Sequence, residues 1–180
     1  LTINYKQRHD YEIIASKKIA SSYSDVNHII FDIDLTRIGG SALTDLSLDV
    51  PNEESSGIPI TYVPARNTIF LSIAASYAEK LKIREIYIGV NAIDYSGYPD
   101  CRPDFIASFE KMINLGTKSG SEGSSFKIIT PLISMTKSEI IKRGTNLGID
   151  YSATVSCYSL SNTGEACGNC DSCKFRKKGF

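Results

Sequence analysis

Four of the five cysteines lie close together near the end of the 180-residue sequence. They are Cys157, Cys167, Cys170 and Cys173, and the last three follow a C-x-x-C-x-x-C spacing. Thiolates at this spacing can converge on one centre, and four of them complete a tetrahedral zinc site. Protein ligands then fill every position on the metal, so we expect a structural site and a zinc-binding segment over residues 155–180.

Three other interpretations of the four cysteines stay open, namely disulfides, an iron–sulfur cluster and plain buried thiols. A chain of 180 residues is long enough to form a core without covalent staples, which argues against disulfides. An iron–sulfur cluster uses the same thiolate ligands, and the spacing alone does not exclude it. The spacing nevertheless favours zinc over the other three interpretations.

A polar loop over residues 91–103 is a second candidate site. Its side chains that suit a bound ligand are Asp94, Tyr95, Asp100 and Arg102. Tyrosine rings stack on planar heterocycles, carboxylates accept N–H donors, and a guanidinium pairs with a carboxylate or phosphate. An ordinary loop in which aspartate and glycine only form turns is almost equally consistent with this composition.

Cationic and polar side chains also stand at the starts of two predicted helices. Arg66 and Asn67 come just before the N-terminus of one helix, and Lys137 begins another within a capping-box pattern, Thr136 to Glu139. The N-terminus of a helix attracts anions, so a phosphate is favoured at both places. A local salt bridge and cap explain Arg66 and Asn67 equally well, and a lysine placed like Lys137 is more often only exposed to solvent.

The elements that must position these residues alternate between strand and helix along the chain. We predict strands at residues 1–4, 26–32, 86–90 and 126–130, and helices at 10–22, 68–81, 103–116 and 136–147. This alternation predicts an α/β fold, a parallel sheet with helices on both faces. Ligands then bind at the carboxyl ends of the strands, close to Arg8, His9 and Lys137. We expect a long loop at 36–61 and a mobile Gly/Ser-rich segment at 118–125.

Composition sets limits on the partners of the chain. Lysine plus arginine equals aspartate plus glutamate at 20 each, and 42% of the residues are hydrophobic. We therefore expect one globular domain over residues 1–180, with no nucleic-acid or membrane partner. The basic residues at 174–178 are expected to be a solvated end.

Several motifs taken together resemble the QueC family of queuosine biosynthesis. They are Tyr5–His9, Ala42–Asp45, Val63–Asn67, Gly89–Asn91, Asp94–Pro103, Pro131–Leu132, Thr136–Glu139 and the four clustered cysteines. The run from Asp94 to Pro103 is highly specific, and the resemblance extends over the whole chain.

The resemblance implies an adenine-nucleotide α-hydrolase-like fold of the ATP pyrophosphatase type. It implies a ligase that uses ATP to activate the carboxylate of 7-carboxy-7-deazaguanine as an adenylate. Ammonia then gives an amide, and a second ATP-dependent activation dehydrates the amide to 7-cyano-7-deazaguanine (preQ0). Magnesium would neutralise the departing pyrophosphate. The family also suggests a cytoplasmic homodimer.

Carried over residue by residue, the resemblance assigns roles to each candidate. The four clustered cysteines resemble the zinc ligands of the family. Arg66 and Lys137 are expected to act in catalysis at the nucleotide phosphates, with Asn67, Arg8 and His9 also binding the nucleotide. The deazaguanine is expected to contact Asp94, Tyr95, Asp100 and Arg102.

The sequence departs from the family pattern in two places. The opening strand, the Ser-Gly-Gly-x-Asp-Ser phosphate loop and the helix after it have no counterpart here. Either the sequence starts downstream of them or the protein is inactive, and a start at Leu1 inside an apolar run favours the former. Lys6 also stands where the family leads us to expect glycine, which bears on the backbone path of that turn.

Two other functions compete with this interpretation. Another ATP pyrophosphatase, such as a tRNA-thiolating enzyme, would share the sheet and the cysteines. It would also need a nucleic-acid surface, which the neutral charge does not favour. A non-enzymatic zinc-binding interaction module is the second, and the long polar loops at the strand ends argue against it.

Overall fold

A computed structural model describes residues 1–52, 57–91 and 97–180 of the chain. These residues divide into two compact units. The first unit contains Leu1–Pro64 and Lys137–Phe180, and the second contains Ala65–Thr136. The organisation of residues 1–180 as one domain stays a prediction.

Short strands and longer helices alternate through the described residues. The strands are β1 (Thr2–Asn4), β2 (Ile30–Asp32), β3 (Glu85–Tyr87) and β4 (Lys127–Ile129). The helices are α1 (Tyr11–Ser21), α2 (Arg66–Leu81), α3 (Pro103–Gly116), α4 (Lys118–Ser121), α5 (Lys137–Asn146) and α6 (Asp171–Gly179). Single 3-10 turns cover Pro99–Cys101 and Tyr151–Ala153.

Each unit contains a parallel pair of strands. In the first unit β1 pairs with β2, with Ile3 opposite Phe31. In the second unit β3 pairs with β4, with Ile86 opposite Ile128. Because parallel strands need long crossover connections, helices must follow the strands, as they do here. The parallel strands with helices confirm the predicted α/β class, and the carboxyl ends of β1 and β2 lie at one edge of their sheet.

The cores of the two units consist mainly of aliphatic and aromatic side chains. The buried apolar residues of the first unit include Ile3, Tyr5, Ile13, Leu35, Ala42, Val63 and Ile141. Those of the second include Leu71, Ala75, Ile86, Ile106, Phe109, Phe126 and Ile128. No helix within the described ranges is long and apolar enough to cross a membrane.

Several predicted boundaries differ from the structure. The strands predicted at 26–32 and 126–130 shorten to three residues each. The segment predicted to be mobile at 118–125 begins instead with α4, whose start is capped because the Thr117 hydroxyl accepts a bond from the Gly120 N–H at 3.2 Å. On α1, Ile14 and Ile19 are exposed rather than buried, so this helix packs through a narrow stripe around Ile13.

A lysine occupies a left-handed backbone position in the turn after β1. Lys6 has φ +62, in the region that costs a residue with a Cβ about 1–2 kcal/mol relative to the right-handed helix. Glycine avoids this cost, which explains why the family pattern leads us to expect glycine at this position.

We predict that Lys6→Gly raises the free energy of unfolding by about 0.5–1 kcal/mol, because relief of backbone strain exceeds the extra flexibility of glycine in the unfolded chain. Lys17→Gly, in the exposed middle of α1, removes the same charge and should lower the free energy of unfolding by about 1 kcal/mol. Urea denaturation of both variants measures the difference. Equal destabilisation by the two changes would contradict the strain at Lys6.

Candidate metal centre and ligand-binding loops

The four clustered cysteines converge on one point in the first unit. Their sulfur atoms all lie within 4.8 Å of one another. The Sγ atoms of Cys157 and Cys167 are 3.5 Å apart, and those of Cys167 and Cys173 are 4.0 Å apart. Sulfurs placed tetrahedrally at about 2.3 Å from zinc are about 3.8 Å from one another. The cluster therefore has the dimensions of a four-thiolate metal site.

The same distances decide against disulfides. A disulfide requires sulfurs about 2.05 Å apart, and all five cysteines are free thiols. Cys157, Cys170 and Cys173 are also buried, so four adjacent thiols would share a small desolvated volume without a bonded partner. A metal ion is the simplest group that satisfies them, as the spacing predicts.

Local backbone structure directs each sulfur toward the centre. Cys170 is the N-cap residue of α6, and Cys173 lies in its first turn, so both face the positive end of the helix dipole. Backbone N–H groups of Ser159 and Cys167 donate to the sulfur of Cys157, each at 3.3 Å. The N–H of Cys170 donates to Cys167 at 3.4 Å. These donors stabilise negative charge on sulfur.

The thiols differ in how readily they ionise. Burial raises the pKa of Cys157 and of Cys173 above the ordinary value. Burial also opposes ionisation of Cys167, but N–H donors from Asn169 and Cys170 outweigh it and lower its pKa to about 7. Since a metal needs every ligand as a thiolate, metal binding to this cluster must release protons.

The basic C-terminal residues lie on α6, where Lys177 and Lys178 are exposed as expected and Arg176 is half-buried. The guanidinium of Arg176 donates to the Thr154 hydroxyl at 2.9 Å, to the Ser156 hydroxyl at 3.3 Å and to the Tyr151 carbonyl at 2.8 Å. Lys174 donates to the carbonyl of Asn52. Tertiary hydrogen bonds, which the charged composition did not reveal, therefore fix the helix that presents two metal ligands.

Arg8 and His9 lie in the first unit with the metal centre. Arg8 Nη1 donates to the carbonyls of Ala42 at 3.1 Å and Leu48 at 2.9 Å. His9 Nε2 lies 2.9 Å from the carbonyl oxygen of Cys157. Both side chains thus support loop backbone, a role that the sequence pattern did not predict. Their predicted role in nucleotide binding stays a prediction.

In the second unit, two predicted site residues bind each other. The backbone N–H of Asn67 donates to Asp100 Oδ2 at 2.9 Å, and Asn67 Nδ2 donates to the Asp100 carbonyl at 3.1 Å and to Cys101 Sγ at 3.3 Å. Asn67 and Asp100 are each only 5% exposed. The Asp100 carboxylate therefore caps the start of α2, and we call these three residues the Asn67–Asp100–Cys101 lock.

Cys101 in this lock is buried, as a space-filling residue should be. Burial raises the pKa of its thiol to about 11, and the nearby Asp100 carboxylate adds to the shift. A thiol with this pKa is almost fully protonated at neutral pH, so it is a poor nucleophile.

The remaining candidates are distributed over both units. Arg66 begins α2 with its guanidinium 5.8 Å from the centre of the Phe70 ring, and Arg102 is exposed just before α3. Lys137 begins α5 in the first unit and is half-buried. Asp94 and Tyr95 lie outside the described residues.

Comparison with known proteins assigns a family to this architecture. The described part of the chain is an α/β protein with parallel strand pairs and a four-cysteine centre that could hold a metal. The family described as "Queuosine biosynthesis protein QueC" matches residues 1–180. The chain belongs to this family.

Curated relatives agree with the family match. A protein of Cellvibrio japonicus (strain Ueda107) named 7-cyano-7-deazaguanine synthase is 58% identical over 180 residues, which cover 100% of this chain and 80% of that protein. Proteins of the same name from Pseudomonas fluorescens (strain SBW25) and Stutzerimonas stutzeri (strain A1501) are 55% and 54% identical, with the same coverage.

We predict that iodoacetamide at pH 8 separates Cys167 from Cys101 in metal-free, reduced protein. A pKa of about 11 leaves Cys101 with roughly one thiolate in a thousand, whereas Cys167 is only half-buried and its segment should open to the reagent once the metal is removed. Mass spectrometry of tryptic peptides over time should show rapid labelling of Cys167 and protection of Cys101 until the second unit unfolds. Labelling of both at one rate would contradict the burial of Cys101.

Removing the carboxylate of the lock should destabilise the second unit. Asp100→Ala leaves the Asn67 N–H buried without its acceptor, which costs about 1–3 kcal/mol. Asp104→Ala, at an exposed position in the first turn of α3, should change stability by at most about 0.5 kcal/mol. Denaturant titration compares the two, and an equal loss from both would argue against the lock.

Proposed function

We propose that this protein is an ATP-dependent ligase that converts 7-carboxy-7-deazaguanine and ammonia to 7-cyano-7-deazaguanine. The observation that carries the proposal is the family match over residues 1–180, together with 54–58% identity to relatives with the synthase name. The four converging sulfurs support it as well, since the resemblance assigns zinc ligands to these positions.

The proposed reaction follows from the poor reactivity of a carboxylate. Attack of a carboxylate oxygen on the α-phosphorus of ATP gives an acyl adenylate and pyrophosphate. Ammonia displaces AMP and loses a proton, which leaves an amide. The amide oxygen then attacks the α-phosphorus of a second ATP and releases a second pyrophosphate, and loss of AMP and the two nitrogen protons gives the nitrile. Each carboxylate oxygen thus leaves as part of AMP.

We assign zinc to the four-cysteine centre and a structural role to it. The all-sulfur donor set and the separations of 3.5–4.0 Å suit tetrahedral zinc, and four protein ligands leave no position for a substrate. Magnesium is the second proposed cation, because pyrophosphate carries several negative charges that a hard cation neutralises. It would bind with the nucleotide rather than at the sulfurs.

The site assignment keeps most of the predicted residues and changes the role of two. Lys137 and Arg66 are proposed to act at the nucleotide phosphates, where a cation at the start of a helix adds to the helix dipole. Arg8 and His9 are proposed beside the nucleotide, and Asp94, Tyr95 and Arg102 beside the deazaguanine. Burial of Asn67 and Asp100 in the lock supports a positioning role for these two.

The proposal extends to partners and location. Ammonia as the nitrogen donor, a homodimer and the absence of a nucleic-acid partner are all part of it. A cytoplasmic location suits a protein whose five cysteines form no disulfide, because thiols persist in reducing compartments.

The direct test uses the full-length protein that contains residues 1–180. It is incubated with 7-carboxy-7-deazaguanine, ATP, magnesium and ammonium, and products are followed by mass spectrometry. We expect the nitrile, with two AMP formed for each nitrile. Zinc-loaded, folded protein that forms neither the amide nor the nitrile would overturn the proposal.

We predict that Lys137→Ala lowers kcat/KM for ATP roughly 100-fold, the order of effect expected when a preorganised charge is lost from a phosphoryl-transfer site. Lys142→Ala removes an exposed lysine from the same helix and should leave kcat/KM within about twofold. Steady-state AMP release measures both variants. Similar kcat/KM values would contradict a phosphate contact by Lys137.

A further inference from the structure

Two side chains near the start of α1, those of His9 and Tyr11, hydrogen-bond the loop from Cys157 to Gly164. His9 Nε2 lies 2.9 Å from the carbonyl oxygen of Cys157. Because a carbonyl oxygen only accepts, the proton of this bond is on Nε2. The Tyr11 hydroxyl donates to the carbonyl of Asn162 at 3.0 Å. These contacts join residues 148 and 151 positions apart in the sequence.

Packing at the same place is tight. Gly164 has φ +85, and a Cβ there would lie 2.6 Å from a ring carbon of Tyr11. The rings of His9 and Tyr11 meet edge to face, with centroids 6.1 Å apart. The loop from Cys157 to Gly164 therefore rests against a surface formed by these two rings, and only glycine fits at its closest point.

These contacts involve the loop that carries Cys157, the cysteine farthest in sequence from the other three. Cys170 and Cys173 are positioned by α6, and Cys167 is three residues from Cys170. Cys157 is the one ligand among the four that comes from a distant point, ten residues before Cys167. Fixing the Cys157 carbonyl fixes the peptide plane next to its Cα, which reduces the entropy that the loop loses when its sulfur joins the metal.

We propose that His9 and Tyr11 are positioning residues of the metal centre, and that the bound metal in turn holds the turn from Gln7 to His9 in place. The coupling is reciprocal because stabilisation of one partner by the other is a property of the pair. The turn from Gln7 to His9 follows the carboxyl end of β1, where the proposed function places Arg8 and His9 beside the nucleotide. Any effect of the metal on nucleotide binding therefore rests on the proposed function. The effect on the metal does not depend on it.

Metal affinity tests the first half of the inference. Zinc alone is titrated against a competing chelator in full-length His9→Ala, with His28→Ala as the matched control. His28 is the other histidine of the chain, and its Nε2 bonds the Thr2 hydroxyl at 2.8 Å, away from the cysteines. Residues that hydrogen-bond the ligands of a metal typically contribute 10- to 100-fold in affinity. We therefore expect the zinc dissociation constant to rise about tenfold in His9→Ala and to stay unchanged in His28→Ala.

Conservative variants separate positioning from folding. His9→Gln keeps an N–H donor and should recover most of the zinc affinity. Tyr11→Phe loses only the hydroxyl and should speed zinc release severalfold, whereas Tyr87→Phe, which removes an exposed bond to Glu85, should not. Equal zinc dissociation constants for His9→Ala and His28→Ala, together with an unchanged rate of zinc release from Tyr11→Phe, would overturn the proposal.

Histidine NMR tests the reciprocal half. The imidazole signals of His9 and His28 are assigned from the His9→Gln and His28→Ala variants, and removal of zinc should shift those of His9 while those of His28 stay in place. This readout needs no catalytic activity, so a failed synthase assay leaves it intact. His9 signals that do not respond to zinc would contradict the coupling.

Discussion

The convergence of four cysteine sulfurs is the constraint on which the first unit depends. The four sulfurs lie within 4.8 Å of one another and three of the cysteines are buried, so four thiolates without a cation would repel strongly. A metal bound to the four sulfurs would neutralise this charge, and its binding free energy would then contribute to folding. The loop at Cys157, the start of α6 and the turn at His9 all meet at this centre.

In the second unit, buried hydrogen bonds between two side chains have the corresponding structural role. Asn67 at the start of α2 and Asp100 in the loop before α3 satisfy each other's buried polar groups. Two motifs that carry the family resemblance are thus joined by direct hydrogen bonds. Asn67 and Asp100 therefore act as structural supports, whereas a ligand contact by Arg66 or Arg102 stays a prediction.

Residue spacing and helix-end residues in the sequence predicted those features that depend on contacts between near neighbours in the chain. The cysteine spacing predicted that the four sulfurs converge, and Pro103 and Gly116 marked the ends of α3. The helix α6 escaped prediction because its charged sequence has little apolar periodicity, and Arg176 stabilises it through tertiary bonds. The bond from His9 to Cys157 escaped because it spans 148 positions. Only the fold brings such partners together.

Hydrogen exchange with and without metal tests this account most directly. The zinc-loaded protein is compared with reduced, chelated protein, and protection is read by mass spectrometry. The account predicts that metal removal abolishes protection in residues 157–179 and lowers it in the turn from Gln7 to His9, while α2 and α3 stay protected. Unchanged protection in α6 after complete metal removal would contradict it.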